Sequence, residues 1–101
     1  MGKYTKEQLT VFEKSVRASA MVFKLNPRSI IGDNQSDPVY KVKKAKRLVV
    51  AVAHEHGLNY STTAIMLKFS KRGQLPIIKA ATEYPVADHL VKEALQYYKT
   101  I

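Results

Sequence analysis

The sequence has no cysteine. That excludes disulfides, iron–sulfur clusters, thiolate zinc sites and cysteine nucleophiles. Acidic residues are scarce as well. Eight Asp and Glu with three His leave little material for a dedicated metal site. His54 and His56 are two apart, which puts them on different faces of a helix, and His89 is remote. Zinc ligands on one helix sit four apart with a third partner nearby. No catalytic residues, no metal and no cofactor are therefore expected. The apolar run at 48–53 is far shorter than the roughly 20 residues that span a bilayer. No apolar stretch follows the first six residues, and residue 6 is Lys where myristoylation wants Ser or Thr. The expectation is a soluble, cytoplasmic protein without a membrane partner.

What the chain does have is one domain's length and an excess of positive charge. Its 101 residues are 46% hydrophobic, enough for a single core. Lys and Arg number 17, giving a net charge of +9. Residues 41–79 hold nine basic side chains and one acid, Glu55, a net charge of +8 in that window. The remainder of the chain is close to neutral. Solubilising surfaces intersperse both signs, so a concentrated excess is the footprint of a polyanion partner.

Periodicity and breakers predict an all-α chain of five helices in one domain. Thr5-x-x-Gln8 has the form of a capping box. It opens an N-terminal helix over 5–25, with Leu9, Phe12, Val16, Ala20 and Phe23 on one face. Asn26-Pro27 ends it. A loop follows to residue 40, with room for one turn at 29–31. A basic helix runs from about 39 to 56, burying Ala45, Leu48, Val49 and Val52, and Gly57 caps it. Ser61 is placed to cap a third helix over 62–69. Lys71-Arg72-Gly73 reads as a tight basic turn. A fourth helix continues to about 83, with Pro76 in its first turn. Tyr84-Pro85 breaks the chain before a last helix over 85–101, which buries Leu90, Val91, Ala94, Leu95 and Tyr98.

Two short helices joined at a basic turn have the shape of a helix-turn-helix, in which the second helix enters the major groove. Ser61, Thr62 and Thr63 offer hydroxyls and amides to a phosphate at the start of the first. Lys68, Lys71 and Arg72 cluster at the turn, and Lys79 lies along the second. Upstream, Lys41, Lys43, Lys44, Lys46 and Arg47 put five cations in seven residues, suited to point-charge contacts with phosphate.

Residues 46–80 resemble the C-terminal DNA-binding domain of the bacterial replication initiator DnaA. That family reads roughly Arg-Gln-x-Ala, a helix, Ser-Leu-Pro-Glu-Ile-Gly, then Phe-Gly-Gly-Arg-Asp-His-Thr-Thr-Val-x-x-Ala. Without a gap, Arg47, Ser61, Ile65, Phe69, Arg72, Ile77 and Ala80 fall on the family's Arg, Ser, Ile, Phe, Arg, Val and Ala. The resemblance covers about a third of the chain and implies a Trp-repressor-like helix-turn-helix acting on double-stranded DNA. The Asp-His-Thr-Thr with which the family reads its site is here Gly73, Gln74, Leu75 and Pro76. Gln74 alone of these suits a bidentate contact, to adenine, while Leu75 suits a thymine methyl. The family's ATPase domain has no counterpart, because the chain contains no Gly-x-x-x-x-Gly-Lys-Ser/Thr run.

The expectation is a small nucleoid-associated DNA-binding regulator of transcription or replication, of bacterial or phage type. Arg72, Gln74 and Lys79 would face the major groove, and a dimer would place two half-sites about one turn apart. One rival is a module that engages a host replication or transcription protein through an acidic surface. Gly73, Leu75 and Pro76 favour it, since they read bases poorly. A second rival is a single-strand or RNA binder that stacks bases on its six tyrosines. Packing is the competing role for Tyr84, Tyr97 and Tyr98.

Overall fold

Thr5 and Gln8 close the capping box that starts α1 (Lys6–Phe23). The Gln8 amide donates to Thr5 Oγ1, and the Thr5 amide donates to Gln8 Oε1, both at 3.0 Å. The computed structural model of the chain describes residues 4–32, 37–68, 71–83 and 86–101, with Lys71 by its backbone alone. The loop tip at 33–36, Phe69 of the family pattern and the Tyr84-Pro85 break lie outside the described residues.

α1 ends where Lys24 turns left-handed, at φ 56°, so that the Leu25 amide reaches back to the Ala20 carbonyl at 2.8 Å. Asn26-Pro27 does more than stop this helix. Asn26 Oδ1 accepts the Arg28 amide and Pro27 takes the first position of α2 (Pro27–Ile30). That single turn makes six helices among the described residues, where the periodicity predicts five. Asp37 ties the far side of the loop to it, accepting from the Asn26 amide at 3.1 Å and from the Ser29 hydroxyl. Those two hydrogen bonds, Ser29 first, hold its carboxyl below the ordinary value of 3.8.

α3 (Val39–Glu55) is the central helix. Ala45, Leu48, Val49, Val50, Val52 and Ala53 are all fully buried along it. Its end is capped as the sequence predicts: Gly57 sits at φ 90° and the Leu58 amide bonds the Ala53 carbonyl at 3.0 Å. One side of α3 packs with Val16, Ala20, Ile30, Ala64 and Ile77 in a cluster built from α1, α2, α4 and α5. The other packs with Ala18 of α1 and with Ala94 and Tyr98 of α6 (Asp88–Thr100). The chain is therefore all-α, with two half-cores that share α3 and α1. No strand occurs among the described residues.

α4 (Tyr60–Met66) and α5 (Lys71–Glu83) differ in phase from the sequence reading. Asn59, not Ser61, caps α4, its Oδ1 accepting the Thr62 amide at 2.7 Å. The helix also ends three residues short of the expected 69. Lys71, Arg72 and Gly73 are helical and open α5 rather than forming a turn. The chain turns instead after Met66, with Lys68 left-handed at φ 66°. Pro76 consequently lies in the second turn of α5, not the first. The helix runs through it, anchored by Ile77, Ile78 and Ala81 against the core.

Candidate nucleic-acid interface

The basic residues of α3 fall on its solvent side because its other faces carry the core. At about 100° per residue, Tyr40, Lys43, Lys44 and Arg47 share one exposed arc, at spacings of three and four. Lys43, Lys44 and Tyr40 are exposed and Arg47 is half-buried. Lys46 lies at the edge of this arc, where partial burial and the charge of Lys43 hold its ammonium below the ordinary 10.5. Lys41 stands on the other flank of α3, close enough to Asp37 to help keep that carboxyl ionised.

α5 packs beside this stripe. Lys43, Lys46 and Arg47 from α3 and Ile77 and Ala80 from α5 line one open cleft of about 310 Å³. Its floor is apolar and its rim is cationic. Here the structure brings together three of the predicted phosphate contacts with the helix predicted to read bases. Lys44 and Arg47 also border a smaller cleft against Phe23, Val86 and Leu90, which carries the basic surface toward α6.

On α5 itself the same phase argument separates the expected residues. Arg72, Leu75, Pro76 and Lys79 fall within an arc of about 100°, and all four are exposed. Gln74 points about 150° from the centre of that arc and is half-buried toward Ile78 and Ala81. It does not share a face with Arg72 and Lys79, so the expectation that the three face one groove together is corrected. Leu75 lies on the exposed arc: it is 73% exposed, where simple hydrophobic patterning would bury it.

The hydroxyl cluster is corrected too. Thr63 is fully buried and its hydroxyl donates to the Asn59 carbonyl at 3.0 Å, so it is closed to any ligand. The Thr62 amide is already taken by Asn59. Thr62 is half-buried and Ser61 exposed. Lys68 is exposed at the turn, while the Lys71 side chain lies outside the described residues.

Two features of this surface escape the sequence reading. Tyr40, 63% exposed, sits in line with the α3 cations, a signal present in its spacing of three and seven from Lys43 and Arg47. Ile77 and Ala80, which floor the cleft, are visible in sequence only as core residues. Two of the three histidines are stacked: His54 lies on Tyr60 at 4.2 Å and His56 on Tyr98 at 3.7 Å between centroids. Tyr98 is buried in the core, the packing role expected of it. Among the described residues no group of His, Asp or Glu is placed to hold a metal, and no helix is long and apolar enough to cross a membrane. Compared with protein-family models, with curated proteins and with solved structures, the chain finds no match.

Proposed function

We propose that the protein binds double-stranded DNA, with α4 and α5 acting as a helix-turn-helix of the DnaA or Trp-repressor type. The observation that carries this reading is the cleft at which Lys43, Lys46 and Arg47 meet α5. Two elements distant in sequence there offer one basic, concave surface with a helix along its edge. Lys43, Lys44, Lys46 and Arg47 neutralise backbone phosphates, which fixes the register of the protein on the duplex. The exposed face of α5, with Arg72 and Lys79, then lies in the major groove. A regulator of transcription or replication, in a bacterial or phage setting, is the role that such a small basic module fits.

The test is fluorescence anisotropy of a labelled mixed-sequence duplex across a salt series, with unlabelled single strand as competitor. The four phosphate contacts named give a log–log slope of affinity against salt of about −3.6. A slope between zero and about −1 overturns the proposal. Preference for the single strand would transfer the surface to the stacking mode, with Tyr40 as its platform.

One observation favours a second reading. An exposed leucine beside a proline is poor material for hydrogen-bonded base readout and good material for a protein contact. On that reading the occupant is an acidic surface of a replication or transcription protein. Charge reversal at Arg72 would then abolish its capture, and duplex binding would be negligible throughout.

A further inference from the structure

We infer that Leu75 is a specificity-determining residue that reads a thymine methyl group, next to a guanine read by Arg72. This inference rests on the duplex-binding reading above and deepens it. Leu75 has the greatest exposure among the large hydrophobic side chains described, at 73%. It stands on the solvent arc of α5 between Arg72, one turn before it, and Lys79, one turn after it. Ile77, Ile78 and Ala81 pack against the core, so Leu75 shares its exposed arc with Arg72, Pro76 and Lys79 rather than with a broad apolar stripe. The cations instead fit a polyanion, and in the major groove of a polyanionic duplex the apolar feature is the C5-methyl of thymine.

The spacing defines what is read. A helix rises about 1.5 Å per residue, so Arg72 and Leu75 are about 4.5 Å apart along α5. Base pairs are spaced about 3.4 Å, which places their targets one to two pairs apart. Arg72, with a planar fork of donors, suits guanine O6 and N7. Lys79 is about 10.5 Å beyond Arg72 along the axis and suits a phosphate rather than a base. Gln74, half-buried and on a different face of α5 from Arg72 and Leu75, does not share their readout, so adenine is not specified by the residue the sequence pattern suggested. The preferred site therefore holds a thymine within one or two pairs of a guanine, with the thymine read through its methyl.

The experiment selects duplexes from a random pool with the full chain and then replaces each thymine of the selected site by deoxyuridine. This deletes the methyl and leaves the hydrogen-bonding edge intact. Wild type should lose about three- to fivefold in affinity at one thymine, the worth of one buried methyl-sized group. Leu75→Ala should bind the thymine and deoxyuridine duplexes equally, with the salt slope of wild type. Because Leu75 is exposed, this variant should melt with wild type, and the wild-type comparison needs no variant at all. Duplex binding with no thymine sensitive to the substitution overturns this inference and leaves the proposed function standing. Selection unchanged in Leu75→Ala also overturns it, and assigns the leucine to a protein contact. Failure of wild type to bind any duplex overturns both.

Discussion

The His56 imidazole lies against the Tyr98 ring, centroids 3.7 Å apart and planes 15° from parallel. The Lys14 ammonium is 4.5 Å from the centroid of the same ring. This contact joins the end of α3 to α6 and α1, and it is built around a titratable ring. Partial burial lowers the His56 pKa from 6.5, Lys14 lowers it further, and Glu55 opposes them.

A pH dependence follows. A base with a depressed folded pKa stabilises the fold fully above its unfolded value, and that contribution fades as pH falls through the folded value. The melting temperature should therefore drop as pH falls below about 6.5. Asp37 acts in a separate, more acidic window, because its carboxyl is held below 3.8. His56→Phe keeps a flat ring on Tyr98 and removes the proton. Thermal melts of both proteins across this range check the assignment, and an unchanged slope in His56→Phe would refute it.

Ser15 and Ser19 should be replaceable at a gain. Both are fully buried on α1, and neither hydroxyl has a hydrogen-bond partner. An unmade buried hydrogen bond costs about 1 kcal/mol or more, whereas alanine fits the same space and favours helix. Ser15→Ala and Ser19→Ala should each raise stability by about 1 kcal/mol, or about 4–8 °C in melting temperature. A lowered melting temperature in either variant would mean that its hydroxyl is satisfied.

Leucines 48 and 75 make a matched contrast. Leu48 is fully buried between α1, α3 and α6, and its replacement by alanine should cost about 2–5 kcal/mol. Leu75→Ala, on the exposed arc of α5, should stay within about 0.5 kcal/mol of wild type. Denaturant titration of the two variants tests whether the phase assigned to α5 is right. A large cost at Leu75 would mean that this helix presents a different face.

How far the sequence could be read depended on helix length. α1, α3 and α6 run for three turns or more, so their apolar stripes average over enough residues to identify Val16, Ala20, Leu48, Val52, Ala94 and Tyr98 as core. α4 has only seven residues, and both Asn59 and Ser61 are competent caps. The earlier cap prevails where tertiary packing rewards it. It brings Tyr60 into the helix, against the core and stacked on His54, and it turns Thr63 inward. That shift carried the expected hydroxyl cluster away from solvent. In α5, Ile77 and Leu75 compete for the interior from two residues apart. Ile77 is buried and Leu75 is not, a choice made by the neighbours on α3 that local pattern cannot see. The basic character of α3 was legible throughout; that its cations meet α5 was not.

The cap assignment is directly testable. Asn59→Ala removes the acceptor of the Thr62 amide and should cost about 1 kcal/mol. Ser61→Ala, at an exposed position inside the helix, should stay within about 0.5 kcal/mol of wild type. The reverse order of the two would restore Ser61 as the cap.

The last prediction separates the cleft from charge in general. Each phosphate neutralised by a cation contributes about 0.9 to the slope of affinity against salt. Replacing Lys43, Lys46 and Arg47 by glutamine should therefore make the slope shallower by about 2.7. Lys92 and Lys99 also carry positive charge and are exposed on α6, outside the cleft. Their double replacement by glutamine removes two charges and should leave the slope as in wild type. The variants lower the net charge by three and by two, so a purely diffuse attraction would change the two slopes in about that proportion. Changes in that ratio would therefore dissolve the cleft as a docking surface, whereas a change confined to the α3 variant locates the phosphates beside α5.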